Sequence, residues 1–306
     1  MADLSFRSAG EPRPAGMSIR PRHSLRHDPN RHLWHADCVR SPVHWAGKLV
    51  VLALLLLPSA PSQTARPIAA IAANRSFNWA GYTQGSIEKG TTFHSIAGDW
   101  NVPTAKQRTA REAEYSSSWI GIGGGCLDTA CTLFDTTLIQ AGIGHDVDAA
   151  GNTDYYAWWE TVPAPLIRTE LVVRPGDRVR VEIAESTLTP EVWTIVIANL
   201  RTGLSFSITL PYPSTYGTAE WVIETPVVIS ETGAVTVGPM PDLAVVHFDD
   251  ATANGLPAGL VAAEQMQLVD FDLSQIAAPS LPDSDTDGFN DCAYRKSCAT
   301  PKKELP

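Results

Sequence analysis

The 306-residue chain has little of what the common hydrolase mechanisms require. Of its eight histidines, five lie in the first 48 residues, leaving His94, His145 and His247 beyond. None of the three sits in a recognisable triad context. There is no His-Glu-x-x-His pattern, the helical signature of zinc peptidases. No Gly-x-Ser-x-Gly elbow surrounds the serine-rich Ser116-Ser117-Ser118. Helical periodicity is nearly absent from about 74 to 272, and no internal repeat is visible. The apolar run Leu49-Val50-Val51-Leu52-Ala53-Leu54-Leu55-Leu56-Leu57 is too short to span a bilayer, which takes about 20 residues.

That run has another meaning. Residues 1–48 carry eight Lys/Arg and four Asp/Glu. A basic region, a short apolar core, then Pro58 and small residues have the order of a secretory signal peptide. Ala60 and Ser62 place small residues before a cut after Ser62. The expected organisation is a removed leader over 1–62, a linker over 63–77, a domain over 78–273 and an acidic tail over 274–306. Losing residues 1–48 takes the formal charge from −10 to −14. So acidic a product is a poor partner for nucleic acid and soluble at neutral pH. A secreted monomer, free of the membrane after cleavage, is expected. Cysteine usage agrees with export. Cys38 falls in the leader, and Cys126, Cys131, Cys292 and Cys298 remain, an even set. Of three possible pairings the local ones, Cys126–Cys131 and Cys292–Cys298, are the simplest. A zinc site is the rival, but no histidine stands at ligand spacing from either pair.

The domain reads as all-β. Val179, Val181 and Ile183 alternate with Arg178, Arg180 and Glu182, one face buried and one wet. Thr169–Val173, the turn Pro175-Gly176-Asp177 and Arg178–Ala184 form an expected hairpin. Glu191–Ala198 and Leu204–Leu210 form another, with Gly203 suited to a left-handed position. Trp79–Tyr82, Phe93–Val102, Tyr115–Ile122, Tyr155–Thr161 and Val235–Phe248 supply further strands. Many short strands with regular turns favour a sandwich or barrel.

Gln140, Glu160, Glu220 and Glu224 stand out as polar groups inside apolar, β-prone runs. In Thr218–Glu224, Trp221 and Ile223 point one way and Glu220 and Glu224 the other. A carboxylate in such packing must be solvated, paired or working. Taken alone, Gln140 is as well explained by a cross-sheet hydrogen bond, and Glu220 by a solvated outer face. Five motifs change the balance: Asn78-Trp79-Ala80-Gly81-Tyr82, Trp119-Ile120-Gly121-Ile122, Leu138-Ile139-Gln140-Ala141-Gly142, Tyr156-Ala157-Trp158-Trp159-Glu160 with Pro163, and Ala219-Glu220-Trp221-Val222-Ile223-Glu224. In this order and spacing the chain resembles the glutamic peptidases (eqolisins) from about Asn78 to Phe271.

The resemblance implies a sandwich of two bent antiparallel sheets, a lectin-like jelly roll, with the site on a concave face. It places the catalytic pair on Gln140 and Glu220. Glu220 would take a proton from the attacking water and pass it to the leaving amine. Gln140 would hold that water and stabilise the oxyanion. Trp119, Trp158, Trp159, Glu160 and Trp221 would bind substrate or support the site. The implied activity is a secreted, acid-acting endopeptidase on polypeptides, with no cofactor. A base that works in acid must not have a greatly raised pKa. The chain departs from the family at Gly123 and Gly144, where acids are usual near these places; Asp146 stands two residues on. Fungal members carry a long pro-segment, but little separates Ser62 from Asn78, so control by a large propeptide is not expected. Two other functions fit the same residues: a lectin stacking sugars on its aromatics, and a glycosidase using two of Glu160, Glu220 and Glu224.

Asp283-Ser284-Asp285-Thr286-Asp287-Gly288 resembles the opening of a calcium loop. Position twelve is Tyr294, however, and no flanking helices are evident. Asp283, Asp285 and Asp287 are a weak calcium candidate beside the plain alternative of a solvated acidic turn.

Overall fold

The computed structural model describes residues 70–72, 74–229 and 235–302. The expected leader, 1–62, with Cys38, lies outside the described residues, as do 63–69 and 73 of the expected linker. Among the described residues, the only helical elements are Ser86–Lys89 and the single turn Ala262–Glu264. The rest is strand and loop, as the alternation of apolar residues predicts.

Thirteen strands of five residues or more position the site: β1 (Trp79–Gly85), β2 (Ser95–Asn101), β3 (Ser117–Gly123), β4 (Leu138–Val147), β5 (Thr153–Thr161), β6 (Arg178–Glu185), β7 (Val192–Asn199), β8 (Leu204–Pro211), β9 (Thr218–Glu224), β10 (Val245–Ala253), β11 (Gln265–Val269), β12 (Gln275–Pro279) and β13 (Phe289–Ala293). One run of neighbours reads β5-β4-β3-β9-β1-β11. The other reads β8-β7-β6-β2-β10-β13-β12-β11. The strand β11 belongs to both: Gln265 and Met266 pair with β1, Leu268 and Val269 with β12. All of these pairings are antiparallel, and with four shorter strands they join into one 17-stranded sheet, while Val227–Ile229 and Val235–Val237 pair apart from it.

Both runs bury a face in the same core. Ile120, Ile122, Ile139, Ala141 and Ile143 of the first meet Val181, Ile183, Ile195, Ile197 and Phe248 of the second. Trp221 pins them together. Its ring is fully buried, and its Nε1 donates to the Ala97 carbonyl of β2 at 2.8 Å. Gly98 makes the room, since a Cβ there would stand 2.9 Å from the indole.

The expected hairpin of β7 and β8 forms, closing at Asn199 and Leu204, with Gly203 at φ 72°. Two expected strands differ. Residues 169–173 are not a strand, because β6 already has β2 and β7 on its two sides and offers no free edge. Leu171 and Val173 are buried there all the same. The expected strand Val235–Phe248 is two, Val235–Val237 and Val245–Ala253. Pro239 and Pro241 lie between them, and proline cannot donate to a ladder.

The segment over 274–306, expected as a tail, supplies β12 and β13 to the same sheet. The local disulfides Cys126–Cys131 and Cys292–Cys298 are both formed, so the zinc alternative falls away at these four cysteines.

Trp221 is thus a packing residue. Trp221→Ala is expected to lower stability by about 3–5 kcal/mol, as truncation of large aromatics in a core does. Urea denaturation of the two proteins measures it.

Candidate active site

Directly opposed residues of an antiparallel pair share a face of the sheet. Five strands place one row in line: Thr83 on β1, Glu220 on β9, Gly121 on β3, Gln140 on β4 and Glu160 on β5. Alternation sends Trp221, Ile139, Ala141 and Trp159 to the other side, into the main core. The row therefore lies on the opposite face. Gln140 and Glu220 are not on adjacent strands; β3 runs between them, so their Cα atoms are roughly 9–10 Å apart at ordinary strand spacing. The intervening residue is Gly121. Its missing side chain makes room for the Trp119 ring and for Leu138 Cδ1, the latter 3.1 Å from a would-be Cβ. A Cβ there would come within 2.9 Å of the Trp119 ring.

Gln140 is oriented by its neighbour. Its Nε2 donates to Glu160 Oε2 at 2.6 Å. That uses one of two amide hydrogens and fixes which end of the amide carries oxygen. Its Oε1 is buried without a hydrogen-bond partner. Burial pushes the Glu160 carboxyl up, opposed by the Gln140 bond.

Glu220 is fully buried, and neither carboxylate oxygen has a hydrogen-bond partner. Burial pushes its pKa well above the ordinary value, and the charge of Asp135 adds to the rise. The Thr218 hydroxyl works against it without closing a hydrogen bond. The cover is the segment 124–135. A Cβ on Gly125 would lie 2.6 Å from Glu220 Oε1, so only glycine lets the chain pass this close. Asp135 ties the segment down, accepting from the Gly217 and Thr137 amides at 2.9 Å each and from the Thr215 hydroxyl.

Along the same face a second apolar cluster includes Trp79, Trp119, Leu138, Trp158, Val222 and Met266. Trp119 leans over Gly142, where a Cβ would meet its Cβ at 2.4 Å. Its indole donates to Glu224 Oε2 at 2.8 Å, and Asn78 Nδ2 donates to Oε1 at 3.2 Å. Burial and the Glu160 charge raise Glu224 to about 7.

Of the residues expected at a site, Gln140, Glu160, Glu220, Trp119 and Trp158 share this face. Trp159 and Trp221 do not. They are core residues, because a strand cannot send successive or odd-spaced side chains to one side.

The glycines that depart from the family pattern are sterically fixed. Gly123 has φ +94°, and a Cβ there would stand 2.1 Å from the Thr137 carbonyl oxygen. At Gly144 the Tyr156 ring occupies the space, 2.2 Å from a would-be Cβ. The Tyr156 hydroxyl donates to Asp146 at 3.0 Å, and Arg168 stacks on its ring.

Two constellations lie elsewhere. His145 is fully buried between the Ser116 and Ser118 hydroxyls at 2.6 and 3.1 Å. Burial lowers its pKa to about 3, and no carboxylate orients it, so it is a neutral packing residue. Asp283 and Asp287 gather with Asp249, one oxygen of each within 4.8 Å of the others, and Asp285 stands against Asp283. Burial, and after it the crowding of carboxylates, raises Asp287 to about 6.

Gly121, Thr83, Thr218 and Asp135 were not singled out in the sequence for any role. Gly121 sits inside a quoted motif, and its spacing from Trp119 marks the face; the partner across the ladder is not readable without the register.

A family model described as the Peptidase A4 family matches residues 77–286. Among solved structures, scytalido-glutamic peptidase with a transition state analog inhibitor aligns at TM-score 0.52 and 18% identity, over 73% of this chain and 100% of that one. The same peptidase with a peptide-based transition state analog aligns at TM-score 0.50 and 19% identity, with the same coverage. At these identities the structural likeness speaks for the fold alone. Comparison with curated proteins finds no match.

A carboxyl whose pKa is raised by folding binds its proton more tightly in the native state. Its contribution is fully present below the ordinary value and is lost as pH rises through the raised one. For Glu224 that window runs from 4.5 to about 7, and Glu220 and Asp291 are raised in the same direction by burial. The melting temperature is expected to fall as pH rises across this window. Glu220→Gln, which cannot ionise, should show a shallower fall in circular-dichroism melts at a series of pH values.

Proposed function

The chain belongs to the peptidase A4 family, the eqolisins, and is a glutamic-type peptidase; from that premise we propose that Glu220 and Gln140 act on one water shared between them. The observation that carries this reading is the row across β9, β3 and β4, with a glycine between two side chains that leave three polar atoms unpartnered. A water there would meet the Glu220 carboxylate on one side and Gln140 Oε1 on the other. Ionised Glu220 removes a proton as the water oxygen bonds to the peptide carbonyl carbon. The carbonyl π electrons move to oxygen, and the second Gln140 N–H faces that developing charge. The proton then passes from Glu220 to the nitrogen as the C–N bond breaks, which returns the base. Glu160 acts as a positioning residue, keeping the amide nitrogen turned towards itself.

Substrates are polypeptides, and an extended, unfolded chain suits a site built along the strands of a sheet. The two strand runs around one core fit the two layers of a bent sandwich, with the row on the outer, concave side. Export through the 1–62 leader and action in acid complete the reading. Acid action sets a demand on the structure, since Glu220 must ionise despite its burial. The lectin alternative loses its main support, because every tryptophan among the described residues is buried. No observation favours the glycosidase reading.

Digestion of denatured casein or haemoglobin across acid pH tests the pair. Glu220→Gln is expected to abolish cleavage, and Gln140→Ala to lower kcat by about 100- to 1,000-fold, the scale of losing an oxyanion donor. Retained cleavage in Glu220→Gln would remove the mechanism. Survival of full activity in Gln140→Ala would instead point to a carboxylate-only reaction.

The gap itself is open to test. Gly121→Val drives a branched side chain against the Trp119 ring beside the two groups, and kcat/KM for the same substrate should drop by at least about 100-fold, as small misplacements at a reacting centre do. Wild-type turnover in a folded Gly121→Val protein would show that nothing essential sits there.

A further inference from the structure

We propose that the Thr83 hydroxyl donates a hydrogen bond to ionised Glu220, which makes Thr83 a positioning residue for the base. This rests on the reading of Glu220 as the base. Thr83 stands directly opposite Glu220 in the β1–β9 ladder, where Cβ atoms of such pairs are about 4.5–5.5 Å apart. It is 6% exposed, and its Oγ1 has no hydrogen-bond partner. One point fixes how close the two side chains come. A Cβ built on Gly125 would lie 2.5 Å from Thr83 Cγ2 and 2.6 Å from Glu220 Oε1. The same point of the cover lies beside the Thr83 methyl and a Glu220 oxygen, so a buried hydroxyl and two bare carboxylate oxygens belong to one enclosed place.

The surroundings leave few other ways to ionise Glu220. The ionisable groups on the elements packed around it are Asp128 and Asp135 of the cover, Glu160 across the row, Glu224 on its own strand, and Glu264, which is salt-bridged to Lys89 at 2.6 Å. The acids oppose a further negative charge, and Asp135 adds to the rise of the Glu220 pKa. What remains is hydroxyls. Thr218 shares the Glu220 face, and its Oγ1 accepts from the Gly125 amide at 3.1 Å, leaving its proton free for the carboxylate. Thr83 supplies the second. A hydroxyl rotates at little cost, so it can accept from the protonated acid and donate to the carboxylate. A hydrogen bond to the charged form favours that form.

The test is the pH profile of kcat/KM for a denatured protein, whose acid limb reports the base in the free enzyme. Thr83→Val keeps the shape and removes the hydroxyl. Its acid limb should move up by about one pH unit with an unchanged plateau, the size expected for one bond to a charged group. Thr83→Ser should restore the wild-type limb. If Thr83→Val does not fold, judged by its melting curve, Thr83→Ala carries the same expectation. An unmoved limb in a folded variant, a uniform loss at every pH, or a shifted limb in Thr83→Ser overturns the proposal. Glu220→Gln in the same assay separates the two claims. If that variant stays active, the base has been misassigned; if it is dead while the Thr83 variants keep the wild-type limb, only the role of Thr83 fails.

Discussion

A carboxylate closed off from water inside a packed β-sheet is the constraint that the rest of this molecule answers to. Glu220 has zero exposure and bare oxygens, and a buried charge without partners is among the least favourable things a fold can contain. The protein tolerates it because the group can be neutral. That neutrality ties stability to pH. The cover over 124–135, the small residues beneath it and the threonines beside it are arranged around this single oxygen pair.

The arrangement rests on the alternation of β-strands. One face of β3, β4, β5 and β9 builds the main core, with Trp221 bridging to β2. The other face carries the row from Thr83 to Glu160 and the cluster of Trp79, Trp119 and Trp158. A polar row in the middle of a sheet is rigid because its backbone is bonded on both sides. Gly121 can be a gap without being a weakness, since β4 and β9 hold its strand from either side.

Much of this was legible in the sequence. The alternation in Thr218–Glu224 separates Trp221 from Glu220 without any structure, and period-two patterning gave β6, β7 and β8 nearly at their bounds. The local disulfides followed from spacing. What could not be read was register. Gln140, Gly121 and Glu220 lie in three motifs separated by 19 and 99 positions, and only the ladder tells that they stand in line. Alternation by itself also sets Trp159 and Trp221, each one residue from a site glutamate, on the core face, against their expected place as substrate-binding or supporting residues. Thr169–Val173 has the composition of a strand, but its would-be partner is taken on both edges, a matter of competition that a local reading does not see. The acidity of 283–287 suggested a tail, yet Gln275–Pro279 and Phe289–Ala293 are bonded into the sheet on either side of it.

The departures at Gly123 and Gly144 show how a site changes by exchange of whole contacts. An acid at Gly144 is excluded by the Tyr156 ring, which itself needs a place for its hydroxyl. Asp146 provides that place two residues along the same face, and Arg168 covers the ring while pairing with Asp154 at 2.7 Å. The carboxylate one pleat outward, Asp146, has a phenol and a guanidinium for partners. At Gly123 the positive φ starts the chain into the cover, and an aspartate there would meet the Thr137 carbonyl. Neither place brings a charge beside Gln140 and Glu220. Burial governs the Glu220 carboxyl first, and the Asp135 charge adds to the same rise. The cover that buries the group therefore also supplies a charge that opposes its ionisation.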